Sequence, residues 1–263
     1  MNIGIIGAGN MASALAGGLI GSGKVRPDQL SMSDRAATKL VRWQEKGVFT
    51  TEDNGEVMEH SDIVIFAVKP NILPNVLEEA KSFTDKCVFV SIAAGVTLEK
   101  MEGILGDSAK IVRAMPNTPA QVGCGMVVLS ANKNIEDSVL KTVEDIFSGV
   151  GRAMVMDEKH INTATALHGS SPAYVYMLID AMADSGVKYG IPKDKALLLA
   201  AKAVEGAAKM VLETGEHPQK LKDDVCSPGG TTIEAVCELE KMGFASAVQS
   251  AIDACIKKAN DMA

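Results

Sequence analysis

The spacing of apolar residues changes character near His160. Before it, short apolar runs alternate with segments whose apolar positions recur every three or four residues; after it, only the helical spacing remains. Residues 2–6, 30–33, 62–68, 87–92, 110–113, 125–129 and 152–156 predict buried strands. Residues 12–20, 36–46, 72–82 and 135–147 predict helices, with Pro74 tolerated in a first turn. Strands separated by helices predict an α/β domain with a doubly wound parallel sheet. Such sheets bind ligands beyond the carboxyl ends of their strands. That singles out the loops at 7–12, 33–35, 67–70 and 93–95.

Beyond His160, residues 161–189 predict a long helix bent at Pro172, and residues 193–214 predict a second. Leu197, Ala201, Val204, Ala208 and Val211 form one stripe on the second, yet Leu198, Leu199, Ala200 and Ala203 fill other faces. A helix apolar on several sides is buried on several sides. In a helical domain of this size, a second copy of the chain is the expected cover. The pattern divides the chain into residues 1–158, an α/β domain, and residues 159–263, an all-α C-terminal domain.

The opening stretch carries no charged side chain from Met1 to Gly23. A secretion signal needs a basic segment ahead of its apolar core, and no Lys or Arg precedes Lys24. A spanning helix needs about 20 strongly apolar residues, and this stretch is broken by seven glycines. It reads instead as strand, glycine turn and helix. Gly7-Ala8-Gly9-Asn10-Met11-Ala12 is a GxGxxA sequence in the context that binds a dinucleotide pyrophosphate: Gly7 for the tight turn, Gly9 for close approach of phosphate, Ala12 for helix–strand packing.

The second strand ends in Ser33-Asp34-Arg35. An acid there favours the ribose hydroxyls of NADH, and an arginine favours the extra phosphate of NADPH. Ser33 and Arg35 together tip the expectation to NADPH, with NADH left open. Near the other end of the chain, Ser227-Pro-Gly-Gly-Thr-Thr232 leads into a helix predicted over 233–241. Ser, Thr and Gly are ordinary caps. The same hydroxyls and free N–H groups at a positive helix end also suit a carboxylate.

Composition narrows the classes. The chain has 263 residues, 47% hydrophobic and 22% charged, the profile of a folded globular protein. A mean hydropathy of +0.13 leaves apolar surface for a subunit interface. A net charge of −7 with 4% aromatics argues against a nucleic-acid partner. Five cysteines (Cys87, Cys124, Cys226, Cys237 and Cys255) show no metal-ligand spacing, so no metal is expected, and idle thiols fit a reducing cytoplasm. His168 on an apolar helix reads as a hydrogen-bonded structural residue. His60, His160 and His217 belong to no visible constellation.

Collinear motifs then identify a family. "GAGNM" at 7–11, "AVKP" at 67–70, "AAG" at 93–95, "RAMPNTPA" at 113–120, "GSSPAYVY" at 169–176 and "VCSPGGTTIEAVCELEKMGF" at 225–244 resemble pyrroline-5-carboxylate reductase over essentially the whole chain. His168-Gly-Ser-Ser171 departs from the Ser-Gly-Ser-Gly type sequence usual there. The resemblance implies a Rossmann-type dinucleotide-binding domain over residues 1–158, an all-α C-terminal dimerisation domain over residues 159–263, and reduction of 1-pyrroline-5-carboxylate to L-proline, the last step of proline synthesis. It implies cofactor binding by Gly7, Ala8, Gly9, Asn10, Met11, Ser33, Arg35, Asn54, Ala67, Val68, Lys69, Pro70, Ala93, Ala94 and Gly95. It implies a substrate site at a dimer interface, built from Ser227, Gly230, Thr231 and Thr232, with the substrate carboxylate on that turn. Thr232 is the candidate catalytic residue, its hydroxyl relaying a proton to the ring nitrogen. The resemblance implies a homodimer and admits a decamer, since family members form rings of dimers.

Three rival readings remain: a reductase of another cyclic imine, a β-hydroxyacid-type dehydrogenase and a non-enzymatic dinucleotide-binding regulator. The second needs a catalytic lysine on a helix of the second domain, and residues 161–187 contain none. The intact Ser227–Thr232 turn weighs against the third.

Overall fold

The computed structural model describes residues 1–262. Its elements run β1 (Ile3–Ile6), α1 (Asn10–Gly21), β2 (Leu30–Ser33), α2 (Val41–Gln44), β3 (Phe49–Thr51), α3 (Asn54–Glu59), β4 (Ile63–Phe66), α4 (Leu73–Ala80), β5 (Val88–Ser91), α5 (Leu98–Leu105), β6 (Lys110–Met115), β7 (Gly125–Ala131), α6 (Asp137–Phe147) and β8 (Gly151–Val155). Then follow α7 (Ile161–Ala164), α8 (Ser171–Lys188), α9 (Lys193–Thr214), α10 (Pro218–Asp224), α11 (Thr231–Lys241) and α12 (Phe244–Met262).

One eight-stranded sheet has the order β3-β2-β1-β4-β5-β6-β7-β8. The chain winds outward from β1 to β3, then returns to place β4 on the other side of β1. The order therefore reverses between β1 and β4, and a crevice opens there at the strand ends. Helices cover both faces, so β1 and β4 carry no polar side chain. On β4, Ile63 and Ile65 enter one core with Leu15, Leu19 and Met32, while Val64 and Phe66 enter a second with Val57, Met58 and Phe89. The two-residue period of a strand produces this division.

The sheet departs from the all-parallel expectation at one pair: β6 and β7 are antiparallel. Only residues 116–124 join them, and a parallel crossover needs a dozen or more residues. Five elements went unpredicted: β3, α3, α5, α10 and α12. β3 is three residues long, with Phe49 exposed, so no apolar run marks it. α3 is short and starts on Asp53, whose side chain accepts the Gly55 N–H at 2.7 Å. α5 starts on Thr97, whose hydroxyl accepts the Lys100 N–H at 3.2 Å. Residues 36–46 form not one helix but a 3-10 turn at Ala37–Lys39 and a single turn, α2. Residues 161–189 are likewise interrupted, by a π turn over Thr165–Gly169 ahead of α8.

The chain separates into two compact units: residues 1–170 with the end of α12 from Ile256 onward, and residues 171–255. Inside the second unit α8 packs on α9. Gly186 admits Ala196 so closely that a β-carbon at 186 would lie 3.1 Å from the Ala196 Cβ. The α8–α9 turn is tied by Lys193 Nζ, which donates to Asp180 at 2.7 Å and to Asp184 at 2.5 Å. This unit buries only three side chains, all alanines: Ala183, Ala196 and Ala200. Met177 (72% exposed), Tyr189 (80%), Leu198 (65%) and Met242 (74%) lie open. So small a core cannot offset the conformational entropy of five ordered helices. The surplus apolar surface needs a cover outside the unit. Among the described residues no helix is long and apolar enough to cross a membrane.

Candidate active site

The loop after β1 is built for an anion. Gly7 has φ +101°, and a β-carbon there would stand 2.7 Å from the Ala67 carbonyl oxygen. Its N–H donates to the Ser33 carbonyl at 2.7 Å, which joins the loop to the end of β2. Gly9 is the N-cap of α1, in extended backbone, and no side chain caps the helix. A β-carbon on Gly9 would meet nothing within 4 Å. The space over the loop is thus open, and the first-turn N–H groups of α1 face it with the helix dipole behind them.

A cavity of about 500 Å³ lies beside this loop. Gly7, Gly9, Ser33, Arg35, Asn54, Ala67, Val68 and Lys69, all expected at a cofactor site, are brought together on its wall. Ser33 is fully buried; its hydroxyl donates to Asn54 Oδ1 at 2.7 Å, and Asn54 Nδ2 donates to Glu79 at 2.7 Å. Ser33 therefore sets the orientation of Asn54. Arg35 and Lys69 are exposed at the rim.

The other expected cofactor residues occupy neighbouring surfaces. Ala8 and Asn10 line a second hollow, together with Gly9, Lys39 and Arg42. Pro70, Ala94 and Gly95 line a third, at the ends of β4 and β5. Ala93 is buried, with its N–H on Ser91 Oγ at 3.3 Å. Met11 is half-buried and packs on the core. Lys39 is a site residue that the sequence did not announce. It reaches the cavity from the short 3-10 turn after β2, where helical periodicity gives no signal.

Asp34 lines the same cavity. Its Oδ2 accepts the Ala8 N–H at 2.8 Å, and its Oδ1 accepts the Ala36 N–H at 2.9 Å. Lys39 Nζ bridges both oxygens, at 3.2 and 3.1 Å. Burial by itself would raise the Asp34 carboxyl. The two backbone donors and Lys39 outweigh it and hold the group below the usual carboxylate range.

In the helical unit, the Gly230 N–H donates to the Ser227 carbonyl at 3.0 Å, with Gly229 at φ +65°. This closes the turn and makes Gly230 the N-cap of α11, with no side-chain cap. Ser227 and Thr231 are exposed and Thr232 is half-buried. Three hydroxyls and uncapped helix N–H groups are thereby gathered within six residues, with no lysine or arginine among them.

His168 is structural in its contacts. One ring nitrogen faces the Ala164 carbonyl, and the other faces the Met115 carbonyl at 2.9 Å. Asn117 Nδ2 donates to the His168 carbonyl at 2.9 Å. The histidine binds the π turn to the end of β6.

A strand-order reversal, a glycine turn and an uncapped helix start define a protein of the Rossmann-type, dinucleotide-binding class. Residues 2–95 match the family model "NADP oxidoreductase coenzyme F420-dependent", and residues 158–262 match the model for pyrroline-5-carboxylate reductase dimerisation. The pyrroline-5-carboxylate reductase of Escherichia coli (strain K12) is 47% identical over 262 residues, 99% of this chain and 97% of that protein. A solved pyrroline-5-carboxylate reductase from Coxiella burnetii superposes with a TM-score of 0.95 at 36% identity, covering 100% of this chain and 98% of that one. The Plasmodium falciparum pyrroline carboxylate reductase with NADP bound gives 0.89 at 34% identity, with the same coverage. The chain belongs to the pyrroline-5-carboxylate reductase family. It is an oxidoreductase of the C=N bond that takes a nicotinamide dinucleotide and a small-molecule substrate, and it self-associates through its helical segment.

Proposed function

We propose that the chain reduces 1-pyrroline-5-carboxylate to L-proline with NADPH, as a cytoplasmic enzyme whose working unit is a homodimer. The observation that carries this reading is the cavity that gathers Gly7, Gly9, Ser33, Arg35, Asn54 and Ala67–Lys69 in a chain of this family. Bound there, the nicotinamide supplies the hydride that reduces the imine carbon. In this reading the α1 N-terminus and Gly9 hold the pyrophosphate, and Arg35 and Lys39 face the adenosine end. Ala67–Pro70 and Ala93–Gly95 line the reducing end. Five cysteines, none of them in a disulfide among the described residues, support the reducing compartment.

The substrate carboxylate binds at Ser227, the N–H groups of Gly230 and Thr231, and Thr232, where a helix start offers positive potential. A protonated cyclic imine is already an electrophile, so placement does most of the catalytic work. The Thr232 hydroxyl stands by the ring nitrogen and relays a solvent proton to it, which forms the protonated imine that then takes the hydride. The exposed Met177, Leu198, Leu199 and Met242 form the surface that meets the second chain.

The test is direct. Purified protein, the imine and either NADPH or NADH are mixed, cofactor oxidation is followed by absorbance, and proline is identified as product. Faster oxidation with NADPH, with proline formed in equal amount, is expected. No oxidation above background with either cofactor overturns the reading.

A further inference from the structure

An acid at the end of β2 is the usual acceptor for the ribose hydroxyls of a bound dinucleotide. Here that carboxylate is already committed. A carboxylate offers about four acceptor positions. Asp34 fills them with Ala8 N–H, Ala36 N–H and two contacts from Lys39 Nζ. A ribose hydroxyl could bind only by displacing one of these, and each is a charge-assisted hydrogen bond. The Ala8 contact spans 26 residues and joins the loop after β1 to the loop after β2. Next to it, Arg35 is exposed and makes no hydrogen bond or ion pair among the described residues. Lys39 cancels the charge of Asp34, which leaves the rim with the positive charges of Arg35, next to Asp34 in the chain, and of Lys69 at the end of β4.

We propose that Asp34 is a positioning residue. It clamps the phosphate-binding loop to the end of β2 and does not read the ribose, and it leaves recognition of the 2′-phosphate to Arg35. The inference rests on the reading that the cavity holds a dinucleotide. It reverses the usual meaning of an acid at this position: the residue that marks NADH enzymes here supports binding of either cofactor.

The experiment compares wild type, Asp34→Asn and Arg35→Gln as full chains, with steady-state kinetics in NADPH and in NADH. Asn cannot accept at both oxygens, so one loop contact is lost. The KM of D34N should rise for both cofactors, roughly ten- to hundredfold as expected for one charge-assisted hydrogen bond, with kcat changed less than about twofold. R35Q should raise the KM for NADPH alone. A D34N enzyme that loses NADH while its KM for NADPH is unchanged or lower would make Asp34 a ribose ligand and overturn the proposal. So would an unchanged KM for both with a smaller active fraction, the mark of a purely structural role. If D34N does not fold, Asp34→Ser, with a single acceptor, carries the same comparison. A wild type that oxidises neither cofactor sinks the cavity reading and this inference together. A wild type that is active, with D34N failing as described, sinks only the inference.

Discussion

Arg113 Nη1 donates to Glu158 Oε1 at 2.9 Å, and the same oxygen accepts the Leu98 N–H at 2.8 Å. Arg113 lies on β6 with only 3% of its side chain exposed, and its Nε has no partner. Glu158 is 28% exposed, so one carboxylate fastens both a buried cation and the first turn of α5. Glu158→Ala should cost roughly 2 kcal/mol, because it leaves the guanidinium buried and uncompensated. Replacing both partners with apolar residues, Arg113→Met with Glu158→Leu, should recover most of that. A double-mutant cycle by urea denaturation reads the difference.

The two glycines of the phosphate loop should separate fold from binding. Gly7→Ala forces a side chain into positive φ and against the Ala67 carbonyl. It should cost roughly 2–3 kcal/mol. Gly9→Ala meets no protein atom and should change stability by no more than about 0.5 kcal/mol. Its methyl would occupy the space reserved for the pyrophosphate, so its KM for cofactor should rise. Thermal melts and kinetics on both variants check this. A G9A enzyme with unchanged cofactor KM would move the phosphate elsewhere.

These two glycines also show what the sequence could disclose. GxGxxA after an apolar strand is a local signal, because turn geometry and close phosphate approach are properties of six consecutive residues. The helix predicted over 193–214 was legible for the same reason and matches α9, Lys193–Thr214. Lys39 and the commitment of Asp34 were not legible. Both depend on how far apart the loops after β1 and β2 come to rest, and no periodicity encodes that distance. β3 and α3 escaped because each is shorter than the repeat needed to show a pattern. Residues 116–124 did carry the warning that β6 and β7 cannot be parallel, in their length alone.

Acid stability should depend on Asp34. Its folded pKa lies below the unfolded value of about 3.9. Its contribution is therefore complete above about pH 5–6 and is lost as pH falls through the unfolded value toward the folded one. Urea midpoints measured from neutral to acid pH should fall less steeply for D34N than for wild type. Parallel curves would mean that Asp34 is no better held in the folded chain than in the unfolded one.

Self-association should be visible in mass. At micromolar concentration the wild type should sediment well above the 27.6 kDa of one chain. Leu198→Asp with Leu199→Asp, on open positions of α9, should shift the protein to a smaller species and lower its melting temperature. A wild type of single-chain mass would remove the explanation for the exposed apolar surface of the helical unit.

Thr232→Ala separates a proton relay from simple binding. Loss of kcat at little-changed KM, with Thr232→Ser restoring most of it, is expected of a relay. A rise in KM alone reduces Thr232 to a carboxylate ligand.

The most direct measurement is a crystal structure of the protein with NADP and a proline analogue bound together. The pyrophosphate is expected over Gly9 and the analogue's carboxylate on the Ser227–Thr232 turn. The nicotinamide C4 is expected about 3–3.5 Å from the ring carbon that receives hydride. An analogue seated away from that turn, or a C4 atom out of reach of its ring, would contradict this arrangement.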